Sequence, residues 1–210
     1  MGAMCSSDAS EEQLDRTSPL RPSASGDEIL PVNSPHATST ALKLIILGDV
    51  SVGKTSLCSR FIRDSFSAAH VSTIGAAFAT MEIDLDPPVQ IAMWDTAGEE
   101  RFRAMTKFYF RRTDVAVAVF DVSQPDSLAN VDGWVADLRA ESPKAKIILA
   151  GNKMDLVDPK SGIVQQGEQV CERLELSAFR VVSAKNGNGV QELFKQAALI
   201  GKASRQSATT

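Results

Sequence analysis

The stretch Gly48-Asp49-Val50-Ser51-Val52-Gly53-Lys54-Thr55 sets two glycines with four residues between them, then a lysine and a hydroxyl residue. The pattern is that of a P-loop, in which backbone N–H groups at a helix N-terminus form a concave anion site. Gly48 and the run from Val50 through Ser56 would wrap a phosphate chain. Lys54 would act as a point charge on the outer phosphates, and the Thr55 hydroxyl as a ligand for Mg²⁺. The bland alternative is a glycine turn that binds nothing. It fits poorly with an apolar run immediately before the motif and helical spacing immediately after it.

A P-loop does not choose its base, but Asn152-Lys153-Met154-Asp155 does. A carboxylate at Asp155 accepts from both the ring N–H and the exocyclic amino group of guanine, a donor pair that adenine lacks. Ser183-Ala184-Lys185 would complete the pocket, with the Ala184 N–H facing the guanine carbonyl oxygen. Trp94-Asp95-Thr96-Ala97-Gly98-Glu99-Glu100 adds Asp95, which can hold the Mg²⁺ hydration shell, and Gly98, whose N–H can touch a terminal phosphate. Thr73 supplies a second hydroxyl ligand, so that its loop senses whether that phosphate is present. Taken singly, these are a polar loop, a turn and a strand end; their order after a P-loop gives them meaning.

The elements that must carry these residues are legible as periodicities. LKLIILG reads as a buried parallel strand ending in glycine, and TSLCSRFIRDSF follows at helical intervals. AFATMEIDL and VQIAMW alternate around Asp86-Pro87-Pro88 and predict an antiparallel hairpin. VAVAVFDV, KIILAGN and FRVVSAK read as strands, separated by helical patterns at SLANVDGWVADLRA, QQGEQVCERLEL and VQELFKQAAL. Strands alternating with helices predict an α/β fold, a mostly parallel sheet covered on both faces, with ligands at the carboxyl ends of the strands.

Charge is unevenly placed. Residues 1–40 carry Asp8, Glu11, Glu12, Asp15, Asp27 and Glu28 against Arg16 and Arg21, a net of −4, which is the whole of the chain's −4. A neutral remainder and an acidic head give no electrostatic footprint for nucleic acid. The head is rich in Ser, Thr, Pro and Ala, and reads as disordered because it cannot bury enough apolar surface to offset ordering. Cys5, Cys58 and Cys171 show neither metal-ligand nor disulfide spacing and are expected as free thiols in a reducing compartment.

GDVSVGKT, STIGAAF, WDTAGEE, GNKMD and SAK, in this order over residues 42–200, resemble the Rab branch of Ras-like small GTPases. TIGAAF looks most like the Rabs of the early endosome. The resemblance implies a P-loop G domain over residues 41–200 with a six-stranded sheet, followed by a flexible tail over 201–210. It implies binding of GTP and GDP with Mg²⁺, hydrolysis of GTP, and recruitment of effectors in vesicle traffic while GTP is bound. Partners would be an exchange factor, a GTPase-activating protein and effectors, acting on a monomeric G domain. Its place would be the cytoplasmic face of endosomal or other vesicle membranes, with a cytosolic pool. By the same resemblance Phe66 lies edge-on to the guanine, Phe78, Trp94 and Tyr109 match an aromatic effector triad, and Lys54, Gly98 and position 99 serve catalysis. For Trp94, plain core packing is an equal alternative.

Three positions depart from that pattern. Glu99 stands where the family usually has the glutamine that orients the attacking water, Val50 where Rabs usually carry serine, and His70 where an aromatic residue commonly closes over the phosphates. Ionised glutamate accepts hydrogen bonds but cannot donate to the transition state, and its charge opposes the γ-phosphate. Slow intrinsic hydrolysis is therefore expected. The rivals are a permanently GTP-loaded pseudo-GTPase acting as an effector-binding module and, more remotely, a P-loop kinase acting on a small metabolite, which NKMD disfavours. Rabs usually end in prenylated cysteines, whereas here no cysteine follows Cys171. Met1-Gly2-Ala3-Met4-Cys5-Ser6 fits the N-myristoylation pattern instead, with Gly2 as acceptor and Cys5 as a second, palmitoylated signal for a membrane anchor.

Overall fold

The computed structural model describes residues 41–68, 73, 75–98, 103–158 and 160–207. The acidic head with Gly2 and Cys5 lies outside the described residues, as do His70 and Glu99. The strands are β1 (Leu42–Leu47), β2 (Ala76–Ile83), β3 (Val89–Thr96), β4 (Val115–Asp121), β5 (Lys146–Asn152) and β6 (Ala178–Val181). The helices are α1 (Lys54–Arg63), α2 (Arg103–Phe110), α3 (Pro125–Ala129), α4 (Val131–Glu141), α5 (Ile163–Arg173) and α6 (Val190–Ser207). The six strands form one sheet in the order β2-β3-β1-β4-β5-β6. Only the β2–β3 hairpin is antiparallel; the other pairings are parallel.

The apolar runs form strands buried on both sides because helices cover both faces of the sheet. All seven residues of β4 are buried. Val115, Val117 and Val119 enter one core, while Ala116, Ala118 and Phe120 enter the other, as the two-residue period of a strand requires. Leu57 and Phe61 of α1 and Leu193 and Phe194 of α6 close the first face, with the Phe61 and Phe194 rings stacked at 4.2 Å. Phe110, Leu128, Trp134, Leu138 and Ile163, from α2 to α5, close the second. Each fully buried Leu, Ile or Phe contributes roughly 1.5–3 kcal/mol relative to exposure. Two packed faces therefore hold the strand ends, and the loops upon them, in fixed relation. Among the described residues no helix is long and apolar enough to cross a membrane.

Two expectations are corrected. The single helical pattern SLANVDGWVADLRA is divided at Asn130, which ends α3 and opens α4 while its side chain reaches Asp49 Oδ2 at 2.8 Å. The tail expected to be flexible from residue 201 is helical through Ser207. Gly201 lets α6 lie close to the sheet, since a Cβ there would stand 3.3 Å from Leu42 Cδ1 and 3.4 Å from Val115 Cγ1. One turn on, Arg205 donates to both carboxylate oxygens of Asp114, at 2.7 and 2.6 Å, and to the Ala41 carbonyl at 2.7 Å.

Candidate functional site

The turn between β1 and α1 has a backbone that its glycines make possible. Gly48 lies at φ 138°, and a Cβ there would run into the Val119 carbonyl; Gly53 lies at φ 94° against the Asn152 amide. The first turn of α1 holds no acidic residue, so the positive end of the helix is left for an anion. The Lys54 ammonium is buried there, donating to the Gly48 and Asp49 carbonyls at 2.8 and 2.6 Å. Burial lowers its pKa to about 8, against the pull of Asp95 and Asp49 in the other direction. Gly98 follows β3 and presses on the same turn, because a Cβ at that position would meet Lys54 Nζ and the Asp49 carbonyl. Val50 stands at the lip of the turn, 50% exposed.

The three residues expected around a cation come together. Thr55 Oγ1 donates to Asp95 Oδ2 at 2.6 Å and lies 3.0 Å from Thr73 Oγ1. Asp95 is buried, and desolvation raises its pKa above the ordinary carboxylate value, with Thr55 and Lys54 opposing. Its Oδ1 is a buried oxygen with no hydrogen-bond partner among the described residues. An orphaned carboxylate oxygen beside two hydroxyls is an all-oxygen set that suits a hard divalent cation such as Mg²⁺. The residues present fit the ion.

Beyond the turn lies a cleft of about 310 Å³, lined by Phe66 and Ala68 from the segment after α1, by Lys153 and Asp155 from the loop after β5, and by Ala184 and Lys185 from the loop after β6. That volume is at the low end for pockets that bury small ligands, roughly 300–1,000 Å³. Asp155 accepts from the Ser183 hydroxyl through Oδ1, and its Oδ2 lies 3.8 Å from Lys185 Nζ. Ser183 therefore orients the carboxylate rather than facing the cleft itself. Asn152 is fully enclosed and joins three loops: its Nδ2 donates to the Val52 carbonyl at 2.9 Å, and its Oδ1 accepts from the Ala184 N–H at 3.1 Å. The Ala184 N–H, expected to face a base, is engaged by Asn152 here. Lys153, in a left-handed conformation at φ 66°, reaches Asp121 Oδ2 at 2.6 Å.

Phe78, Trp94 and Tyr109 form one contiguous cluster, with ring centroids 4.8 Å apart for the first pair and 5.4 Å for the second. Phe78 is exposed, whereas Trp94 and Tyr109 are half-buried against the second core, so core packing and exposure are both present. Two participants were missed from the sequence. Asp49 accepts from Trp134 Nε1 at 2.7 Å and Asn130 Nδ2 at 2.8 Å, mooring the phosphate loop to α4. Asp121 anchors Lys153. Asp121 closes an otherwise apolar strand, and that lone carboxylate was the one available hint.

Comparison with known proteins agrees with this geometry. The family model described as Ras family matches residues 43–201. The GTP-binding protein ypt5 of Schizosaccharomyces pombe is 38% identical over 155 residues, covering 72% of this chain and 74% of that protein. The chain belongs to the Ras family. Its motif order makes it a Ras-family member of the Rab kind and a small GTPase, with the six-stranded sheet and flanking helices expected of the P-loop G domain. In this Ras-family chain the turn at Gly48, the cation-ready oxygens and the cleft at Asp155 lie at the carboxyl ends of β1, β3, β5 and β6, where open α/β sheets place their ligands.

Proposed function

We propose that the chain is a Rab-type switch in vesicle traffic, on endosomal membranes, which binds GTP and GDP with Mg²⁺ and hydrolyses GTP slowly. The observation that carries the reading is a cleft with a buried phosphate-type cradle at one end and a held carboxylate, Asp155, at the other. The turn from Gly48 to Ser56 receives the phosphates, Lys54 balances the outer ones, and Asp155 reads the two donors of guanine between Phe66 and the Ser183-Ala184-Lys185 loop. Thr55 and Thr73 would hold the cation through their hydroxyls, and Asp95 would hold its hydration shell. Bound there, Mg²⁺ supplies positive charge against the β- and γ-phosphates. Gly98 brings a backbone N–H to the γ-phosphate, and the loops carrying Thr73 and Gly98 thereby sense its loss.

Slow turnover is supported by chemistry at two positions. Glu99 offers no donor to the transition state, and the branched Val50 side chain at the lip crowds the approach of any group supplied from outside. An activating protein, an exchange factor and effectors at Phe78, Trp94 and Tyr109 complete the cycle, and acylation at Gly2 and Cys5 provides the membrane anchor. The test is single-turnover GTP hydrolysis by wild type, Glu99→Gln and the Val50→Ser, Glu99→Gln double variant. Unaided Ras-like turnover is roughly 10⁻⁴ per second, and the double variant should approach it from below. A wild type faster than the double variant overturns this account of Val50 and Glu99. Fractionation of cells expressing the full chain tests the anchor: Gly2→Ala should move it from membranes to the soluble fraction.

A further inference from the structure

We infer that Arg60 is a positioning residue that staples the two walls of the base cleft together and so sets how long a guanine nucleotide stays bound. This rests on the assignment of that cleft to guanine. Arg60 projects from α1, six residues beyond Lys54, and its side chain is only 16% exposed. Its guanidinium reaches both walls at once. On the far wall Nε donates to the Ala184 carbonyl at 2.9 Å and Nη2 to the Lys185 carbonyl at 2.8 Å. On the near side Nη1 donates to the Asp64 carbonyl at 3.0 Å and to Asp64 Oδ1 at 2.9 Å. Asp64 is the left-handed residue that caps α1, at φ 47°, and two residues later the chain places Phe66 in the cleft wall.

Moving the Ala184–Lys185 loop away from α1 breaks the Nε and Nη2 bonds, while the Nη1 bonds fix the guanidinium against Asp64, the residue that turns the chain toward Phe66. The charge is committed mainly to carbonyl dipoles, since its one carboxylate partner among the described residues, Asp64, is 88% exposed and screened by solvent. A planar fork of five N–H donors can span acceptors on two segments, whereas the compact ammonium of lysine cannot reproduce that geometry. The phosphate end of α1 has separate supports in Asn152 and Asp49. Arg60 therefore acts on the base and leaves the phosphate cradle intact.

The test uses the full chain with Mg²⁺, comparing wild type, Arg60→Lys, Arg60→Gln and Asp155→Asn. GDP release is followed with a fluorescent GDP analogue, and the phosphate end is read separately by Mg²⁺-pyrophosphate binding. Both Arg60 variants should release GDP about 10- to 100-fold faster, the scale of losing charge-assisted hydrogen bonds, with pyrophosphate binding unchanged. Release within about twofold of wild type, or equal weakening of GDP and pyrophosphate, overturns the inference; the latter would mean general loosening of α1. Asp64→Ala touches only the exposed end of the staple and should accelerate release by a few-fold, keeping the test open if an Arg60 variant does not fold. Asp155→Asn with undiminished GDP affinity would instead overturn the guanine assignment, an outcome distinct from failure of the staple.

Discussion

Asp155 shows how much a single carboxylate is asked to do. It is held by the Ser183 hydroxyl on one oxygen and faces Lys185 with the other, so its direction is set before any base arrives. Asp155→Asn replaces an acceptor by a donor, and guanine then meets a mismatched partner while xanthine, with an acceptor where guanine has its amino group, is matched. Loss of a charge-assisted pairing costs on the order of 1.5–3 kcal/mol, so GDP affinity should fall by at least tenfold and xanthine nucleotides should gain. Competition binding with GDP and XDP checks both directions. At this scale the sequence was most informative, because Gly48, Gly53, Lys54, Thr55, Asp95 and Asp155 sit in short runs whose chemistry is local. It was silent on Asp49 and Arg60, whose partners Asn130 and Ala184 lie 81 and 124 residues away.

Among the elements, α4 has a task beyond covering the sheet. Its Trp134 and the preceding Asn130 hold the Asp49 carboxylate, and Asp49 in turn offers its carbonyl to Lys54. Asp49→Ala removes the acceptor of a buried indole N–H and loosens the mooring of the phosphate loop. The variant should lose about 1–3 kcal/mol of stability in urea denaturation. A denaturation midpoint unchanged in Asp49→Ala would count against the mooring. Periodicity located every strand and most helices here. It ran α3 into α4 because Asn130 keeps helical dihedrals, φ −74° and ψ −12°, so nothing in the spacing of apolar residues records the interruption. It stopped α6 short because GKASRQS lacks large apolar residues, while small ones let the helix lie against β1 and β4.

At the scale of the whole molecule, the cleft draws on the loops after β1, β5 and β6 and on the segment after α1, so a ligand in it bridges parts of the chain far apart in sequence. Nucleotide and Mg²⁺ should accordingly act as stabilisers of the entire fold. At a free concentration about 100 times the dissociation constant, a ligand specific to the native state adds roughly 2.7 kcal/mol. Stripping with EDTA and phosphatase should lower the thermal midpoint, and readdition of GDP with Mg²⁺ should restore it, while ADP with Mg²⁺ should not. Equal rescue by ADP would contradict the guanine reading. The alternation of strands and helices made the sheet legible in advance, but the strand order follows from which faces the helices must cover and could not be read from spacing alone.

The Arg205 clasp has a mechanical consequence. Ala41 and Arg205, near the two ends of the described fold, are joined by a 2.7 Å hydrogen bond and share Asp114 through Lys43 and Arg205. A pulling force applied through residues flanking this pair enters the molecule at the amino-terminal end of β1 and the last turn of α6, the opposite end of β1 from the phosphate loop. The load falls first on the clasp and then on the seam where Gly201 rests against Leu42 and Val115. Under tension α6 should peel before the nucleotide cradle is strained, and Arg205→Ala should lower the force of that first event without altering the one that releases the ligand.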